Sequence, residues 1–198
     1  MNGVILASGS SARQRMLKAA GVRFSVQTAA VDEETILQSL QAEQARPRDI
    51  ADLLAELKAL KVSTSHPETW VIGADQVLSI GSTCFQKPGT TEKARQQLLM
   101  LKDKSHVLSS AVCVAKNGSV VWRFVGEAKL TMRDFSDKFL QSYLVEAGED
   151  ILSSVGAYHV EGLGLQLFSR IEGDAFTIQG MPMLPLLDYL RVNGVLDS

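Results

Sequence analysis

The chain has 198 residues, of which 45% are apolar and 21% charged, and its formal net charge at pH 7 is −2. This length and composition predict one globular domain over residues 1–198, either undivided or built as two lobes. So small a net charge produces no overall field that would attract nucleic acid or a membrane surface, so we expect neither as a partner. An anionic ligand would need a local group of cations.

The sequence carries no signal for export or membrane insertion. The N-terminus lacks a basic segment, and its apolar run is too short for a signal peptide. No apolar stretch approaches the length of a membrane span. Cys84 and Cys113 lie far apart and are expected to be reduced thiols. These features predict a cytoplasmic protein.

The first 15 residues carry the most informative local pattern. Residues 4–7 form an apolar run typical of a buried strand, residues 8–15 read S-G-S-S-A-R-Q-R, and a helix follows. A strand, a turn of small residues and a helix start present backbone N–H groups to an anion, and Arg13 adds a planar fork suited to phosphate. The alternative is an ordinary helix start, capped by Ser10 or Ser11, with Arg13 exposed.

Predicted helices and strands alternate along the rest of the chain. Residues 31–34 are predicted to be a turn-like acidic cluster, and Asn117-Gly118 a hairpin turn. The predicted strands are residues 24–28, 70–74, 106–115, 120–125 and 128–133, and the predicted helices are residues 47–62, 91–101, one capped by Ser136, and 182–190. This alternation indicates an α/β fold with a mixed sheet.

Several common site motifs are absent from the sequence. There is no G-x-x-x-x-G-K-[ST] phosphate loop, no complete dinucleotide fingerprint and no G-x-S-x-G nucleophile turn. His66, His106 and His159 share no metal-ligand spacing, so each is interpreted as a surface or packing residue. Lysines and arginines are not interleaved with aromatic residues, which leaves a nucleic-acid surface unsupported.

Asp75 is the first candidate for chemistry. It follows the strand predicted over residues 70–74, and an acid just past the carboxyl end of a strand lies where α/β sheets usually hold their sites. Such a carboxylate can hold Mg²⁺ or deprotonate a water molecule. The alternative is an Asp that caps a turn.

Three further charged positions are weaker candidates. Lys87 precedes a proline that stiffens its loop, and Asp32-Glu33-Glu34 could supply a second metal ligand. Lys58 borders the apolar face of the helix predicted over residues 47–62. The alternatives are an exposed lysine, a solvated acidic turn and a lysine that extends its ammonium to solvent. Together the candidates match what phosphoanhydride hydrolysis by water requires: cations, a helix N-terminus, two carboxylates for Mg²⁺ and a base.

A set of short motifs occurs in order along the chain. They are L-A-S-G-S-S-A-R at residues 6–13, D-E at 32–33, L-A-E-L-K-A at 54–59, A-D at 74–75, K-P at 87–88, K-S-H-V at 104–107, G-A-Y at 156–158, I-E-G-D at 171–174 and G-M-P at 180–182. In kind and spacing these motifs resemble the Maf family of nucleoside triphosphate pyrophosphatases, over essentially the full length of the chain.

The resemblance implies an elongated mixed sheet flanked by helices, with two lobes around a deep cleft. It also implies hydrolysis of a nucleoside triphosphate to the monophosphate and pyrophosphate with a divalent cation, Mg²⁺ or Mn²⁺, by a homodimer. The residues it implies as catalytic are Asp75 as base or metal-linked acid, Glu33 as metal partner, and Lys58 and Lys87 on the phosphates, with Glu33 and Asp75 as the metal ligands. The residues it implies as substrate-binding are Ser8, Ser10, Arg13, Gln76 and Glu161.

Two segments bear on the nucleotide base. The family branch similar to dTTP/UTP enzymes commonly has A-D-T and a glutamine at position 161, whereas this chain has D-Q-V at residues 75–77 and E-G-L-G at residues 161–164. These patterns resemble the 7-methyl-GTP branch. Glu161 could accept hydrogen bonds from the N1–H and the exocyclic amine of guanine, or simply cap a turn.

The sequence therefore supports one main function and two alternatives. The main hypothesis is a housecleaning hydrolase of modified or non-canonical nucleotides, with 7-methyl-GTP favoured over dTTP or UTP. One alternative is a nucleotide-binding regulator of cell division or septum formation that acts through a partner. The other is a phosphatase that releases orthophosphate.

Overall fold

The computed structural model describes residues 3–197. Within this range, seven strands form one mixed sheet flanked by seven α-helices. The strands are β1 (Val4–Leu6), β2 (Ser25–Val26), β3 (Trp70–Ile80), β4 (Thr83–Phe85), β5 (Ser105–Lys116), β6 (Ser119–Met132) and β7 (Phe168–Glu172). The helices are α1 (Ser11–Ala19), α2 (Glu33–Ala42), α3 (Pro47–Ser63), α4 (Thr91–Leu101), α5 (Asp137–Ala147), α6 (Ala175–Ile178) and α7 (Met183–Val192). The predicted α/β class is confirmed.

Three long strands, β3, β5 and β6, form the centre of the sheet. The strand order is β2-β1-β3-β5-β6-β7, with β4 paired to β3. β1 pairs parallel with both β2 and β3. The pairs β3–β5, β5–β6 and β6–β7 are antiparallel. The predicted hairpin between β5 and β6 is confirmed, because Asn117 and Gly118 both have positive φ, as a two-residue primed turn requires.

Apolar side chains bury the sheet in separate clusters at its two ends. One cluster joins α4 and α5 to the C-terminal half of β3, with Leu78 and Leu140 inside it. A second joins α1 and α7 to β1 through Leu17 and Leu186, and a third lies beneath α3. Each cluster excludes water from one part of the sheet, so the two ends are packed independently along the same long strands.

A glycine allows α3 to lie directly on β3. A Cβ atom at Gly73 would stand 2.6 Å from the amide nitrogen of Ala59 and 2.9 Å from its Cβ, distances that real side chains do not adopt. The absent side chain lets the helix approach the strand closely. Lys58, next to Ala59, therefore reaches Asp75, two residues along the strand from Gly73.

Three predicted elements differ from the structure. β3 continues to Ile80, so the prediction that Asp75 lies just past a strand end is wrong: Asp75 lies within β3. Glu33 begins a helix rather than an acidic turn, because Asp32 caps α2 by accepting hydrogen bonds from Thr35 N at 3.1 Å and Thr35 Oγ1 at 2.8 Å. The two strands predicted within residues 120–133 are one strand, β6.

Cys84 and Cys113 are both free thiols. None of the helices within residues 3–197 is both long and apolar enough to span a membrane.

Candidate active site

A cleft of about 820 Å³ opens beside the central strands. Its walls come from the β1–α1 loop, the start of α2, α3 at Lys58, β3, the loop after β4 and residues 150–161. This volume lies in the range of small-molecule sites. The structure brings together in its lining every residue predicted for the site: Ser8, Ser10, Arg13, Glu33, Lys58, Asp75, Gln76, Lys87 and Glu161.

The centre of the cleft is an ion-paired group of three side chains. The Lys58 ammonium lies 2.5 Å from Asp75 Oδ1 and 2.8 Å from Glu33 Oε1. Lys58 is only 5% exposed and Asp75 only 6%. The alternative of a solvent-extended Lys58 is therefore wrong. The three residues come from α3, β3 and α2, so the packing of three elements sets their geometry.

The two carboxylates of this group differ in proton affinity. Burial raises the pKa of Asp75 above its usual value, although Lys58 and Arg13 act in the opposite direction. Partial burial also acts to raise the pKa of Glu33, but Lys58, Lys87 and Arg13 outweigh it and the net shift is downward. Glu33 is therefore the firmly ionised acid, and Asp75 is the carboxylate that binds a proton more readily.

Arg13 is buried and binds protein acceptors. Its Nε donates to Gly180 O at 2.9 Å, and its Nη1 donates to Ser8 Oγ at 3.0 Å and Ala74 O at 2.8 Å. The alternative of an exposed Arg13 is therefore wrong. Its burial lowers the pKa of the guanidinium, against the attraction of Asp75 and Glu33. Arg13 ties α1, β3 and the Gly180 turn together at the wall of the cleft.

The β1–α1 loop presents the start of α1 to the cleft. Ser10 is the N-cap, its side chain accepting from Arg13 N at 3.4 Å, and Ser8 Oγ accepts from Ser10 N at 3.3 Å. Residues 8–12 line the cleft, and the first turn of α1 holds no acidic side chain. The start of α1, where backbone N–H groups have no partner within the helix, therefore borders this space.

Gln76 is held by its amide group. Its Nε2 donates to Ser110 Oγ at 2.9 Å, Ile178 O at 3.0 Å and Thr177 O at 3.2 Å. These contacts join β3 and β5 to α6. The amide orientation is fixed by three acceptors, so Gln76 forms a rigid part of the lining.

Lys87 and Glu161 are the exposed members of the predicted set. Lys87 lies in the loop after β4, near enough to Glu33 to lower the pKa of that carboxylate. Glu161 lies on the segment before the short 3₁₀ helix Leu163–Leu167 and stands 3.7 Å from Arg15 Nη2.

Sequence reasoning missed two residues of the lining. Arg15 resembles an ordinary surface arginine on a helix, and nothing in its sequence context marks it. Tyr158 lies in the G-A-Y motif at residues 156–158, to which the sequence assigns no function. Its hydroxyl is 2.7 Å from His106 Nε2. His106 also packs against Phe168, which confirms its interpretation as a packing residue.

Two carboxylates in the cleft, those of Asp75 and Glu33, could hold a cation that arrives with phosphate. Within residues 3–197 no group of three or more His, Cys, Asp or Glu residues could hold a metal ion. Lys58 contacts Asp75 Oδ1 and Glu33 Oε1, and across the described residues the second oxygen of each carboxylate accepts no hydrogen bond. Mg²⁺ is commonly bound by one or two carboxylates together with substrate phosphates, so the pair fits such an ion.

Comparison with known proteins identifies the class. The Maf-like protein family matches residues 3–193, so the chain belongs to this family. Relatives named nucleoside triphosphate pyrophosphatase, from Paramagnetospirillum magneticum and Rhodospirillum rubrum, are 54% and 50% identical, covering 97% and 98% of this chain and 99% and 96% of the relative. A Brucella abortus protein named 7-methyl-GTP pyrophosphatase is 47% identical over 98% of both chains.

Proposed function

We propose that this protein is a nucleoside triphosphate pyrophosphatase, a hydrolase that converts a nucleoside triphosphate and water to the monophosphate and pyrophosphate. The observation that carries the proposal is the contact of Lys58 with Asp75 and Glu33 in a cleft that also receives the start of α1. Relatives that bear this name are about half identical over nearly the whole chain. The alternative of a cell-division regulator is not favoured by these relatives.

The triphosphate is placed against the β1–α1 loop. Backbone N–H groups of residues 8–12 and the hydroxyls of Ser8 and Ser10 are donors that suit phosphate oxygens. Lys87 adds an exposed positive charge from the loop after β4. Arg13 contributes in two ways, by its charge and by fixing the shape of the loop through its hydrogen bonds. A polyanion is thereby neutralised locally, which a net charge of −2 does not do.

Asp75 is the proposed base. A carboxylate whose pKa is raised by burial accepts a proton from water more readily than an ordinary aspartate. The water oxygen forms a bond to the α-phosphorus while its proton passes to Asp75. The phosphoanhydride bond between the α- and β-phosphates breaks, and its electron pair leaves on pyrophosphate. Lys58 orients the Asp75 carboxylate and keeps a positive charge beside the attacking group.

Glu33 and Asp75 are the residues proposed to hold the divalent cation, Mg²⁺ or Mn²⁺. When bound, such an ion would neutralise charge on the phosphates and polarise the phosphorus centre. The half-exposed Glu33 carboxylate at the start of α2 has the lowered pKa of a group that stays ionised. Mg²⁺ prefers oxygen ligands, and it is usually bound by one or two carboxylates together with waters and substrate phosphates.

For the base, we propose 7-methyl-GTP as the preferred substrate. Glu161 lies in the cleft lining with an exposed carboxylate, which can accept the N1–H and the exocyclic amine of guanine. A pyrimidine such as uracil or thymine offers a different donor pattern. The Brucella abortus relative named for 7-methyl-GTP supports the same choice.

The proposal is tested by product analysis on 7-methyl-GTP, GTP, ITP, CTP, UTP and dTTP, each with Mg²⁺, with Mn²⁺ and with a chelator. We expect equimolar monophosphate and pyrophosphate, fastest from 7-methyl-GTP and abolished by the chelator. Orthophosphate as the first product would contradict the pyrophosphatase assignment. Hydrolysis in the presence of the chelator would contradict the proposed need for a divalent cation. Faster turnover of dTTP or UTP than of 7-methyl-GTP would contradict the proposed base preference.

The oligomeric state and the location are separate expectations. The homodimer, the cytoplasmic location and the single two-lobed domain implied by the sequence stay predictions. Sedimentation equilibrium of the full chain tests the homodimer: a particle of twice the chain mass at micromolar concentration is expected. A particle of one chain mass would contradict it.

A further inference from the structure

An exposed ion pair lies in the lining of the cleft. Arg15 lies on α1 and Glu161 lies on the segment that leads to the 3₁₀ helix Leu163–Leu167, and both line the cleft. Arg15 Nη2 stands 3.7 Å from Glu161 Oε1, and the side chains are 64% and 39% exposed. So long and exposed a pair is weak, and it separates at little cost when a better partner arrives.

The Arg15 guanidinium is turned toward the start of its own helix. Its Nη1 donates to Ser11 Oγ at 3.2 Å, which brings the positive charge to the first turn of α1. A cation is disfavoured at this end of a helix, and the first turn carries no acidic side chain to balance it. The local electrostatics therefore favour an anion beside Arg15, and within residues 3–197 Glu161 is its ion-pair partner.

Arg15 and Arg13 differ in what they can offer a ligand. The Nε and Nη1 groups of Arg13 donate to protein acceptors, and that side chain is buried. Arg15 lies two residues further along α1, in the same cleft lining, with its guanidinium accessible. A planar guanidinium binds phosphate oxygens through paired hydrogen bonds.

We propose that Arg15 is a substrate-binding residue that contacts the phosphate chain and that Glu161 holds it in the cleft when no nucleotide is present. On binding, the guanidinium exchanges the Glu161 carboxylate for phosphate oxygens, and the carboxylate becomes available to the base. The exchange links phosphate binding at α1 to base recognition at Glu161. This inference rests on the proposed function, since it takes the ligand to be a nucleoside triphosphate.

Inorganic tripolyphosphate tests the exchange, because it has the phosphate chain but no base. Its inhibition constant is measured against nucleotide hydrolysis for the wild type and for Arg15→Gln, Arg15→Lys and Glu161→Gln. Arg15→Gln raises the constant about tenfold, as the loss of one charge-assisted contact predicts, and Arg15→Lys raises it less. Glu161→Gln lowers it, because Arg15 no longer has a carboxylate partner. Arg170→Gln is the matched control: Arg170 is exposed, pairs with Glu172 at 2.9 Å and lies outside the cleft lining.

Two outcomes would overturn the proposal: an unchanged constant in Arg15→Gln, or weaker tripolyphosphate binding in Glu161→Gln. Thermal unfolding of each variant checks that the fold is retained, which the exposure of both side chains predicts. If the wild type hydrolysed no nucleotide, the proposed function would fail. Calorimetric titration with tripolyphosphate would then still measure the contribution of Arg15, so the two failures are distinguishable.

Discussion

Lys58 and Asp75 meet with the ammonium nitrogen 2.5 Å from Oδ1, although one lies on α3 and the other within β3. Both side chains are almost fully buried. The missing side chain of Gly73 lets the helix approach the strand closely enough for this contact. Either charge alone would be costly in such a place, so each residue depends on the other.

Removing one partner should therefore destabilise the fold. We expect Lys58→Met to lower the free energy of unfolding by about 3 kcal/mol, since the Asp75 charge is left buried beside Glu33. In Lys58→Met/Asp75→Asn the loss should be clearly smaller than the sum of the two single losses. Urea denaturation of the four proteins measures the cycle. Additive losses would show that the two charges do not stabilise one another.

Glu33 should matter for the metal and little for stability. Its side chain is 43% exposed, so Glu33→Gln leaves no buried charge unpaired. We expect the cation concentration for half-maximal hydrolysis to rise at least about tenfold, as loss of a metal ligand predicts, with an almost unchanged melting temperature. Glu34→Gln is the matched control, because Glu34 also lines the cleft but bonds to Gln38 instead. Equal shifts in the two variants would contradict the role of Glu33.

Arg13 should stabilise the fold. Arg13→Lys keeps the charge but cannot satisfy Ser8, Ala74 and Gly180 together, so we expect about 2–3 kcal/mol less stability. The same change at exposed Arg15 should cost less than about 0.5 kcal/mol. Thermal and urea unfolding of both variants compare the positions. Similar losses at the two positions would contradict the structural account of Arg13.

His106 should make stability depend on pH below neutrality. Burial lowers its pKa from 6.5 to about 4 in the folded protein. Between these values the unfolded chain binds a proton that the folded protein does not, so stability rises with pH across this window and is level above it. The contribution is about 3 kcal/mol at most. The stability of the wild type should therefore fall more steeply than that of His106→Gln as pH drops from 6.5 to 4; parallel profiles would contradict the assignment.

Much of the fold could be predicted from local pattern. The helix predicted over residues 47–62 is α3 (Pro47–Ser63), and its apolar spacing and first-turn proline are sufficient to indicate it. Ser136 caps its helix as predicted, and Ser10 rather than Ser11 caps α1. Such features depend on neighbours in sequence, which periodicity and capping describe well.

The errors occurred where distant contacts replace local preference. The strand predicted over residues 70–74 ends before Asp75 and Gln76, yet both polar residues lie inside β3. Lys58 balances the first, and the carbonyls of α6 bind the second. The strands predicted over residues 120–125 and 128–133 leave a gap that contains Gly126, yet a Cβ there would stand 2.6 Å from Thr177 Oγ1, so the glycine serves packing within β6. No local pattern contains these partners.

The candidate site was predicted as a set of residues, but its geometry was not. The carboxylates and lysines were identified by type and by resemblance, and the structure brings them into one cleft. The burial of Lys58 and Arg13 depends on how α3 and α1 pack on β3. That packing is a tertiary property, so both residues were given a more exposed alternative than the structure has.

The central claim is that Asp75 activates water for phosphoanhydride hydrolysis. Its most direct test compares pyrophosphate release with nucleotide binding in Asp75→Asn, using 7-methyl-GTP with Mg²⁺. We expect the turnover rate to fall by at least about a hundredfold, as loss of a general base predicts, while calorimetry at saturating Mg²⁺, where Glu33 still holds the cation, finds binding within a few-fold of the wild type. Turnover near the wild-type rate in Asp75→Asn would contradict the account.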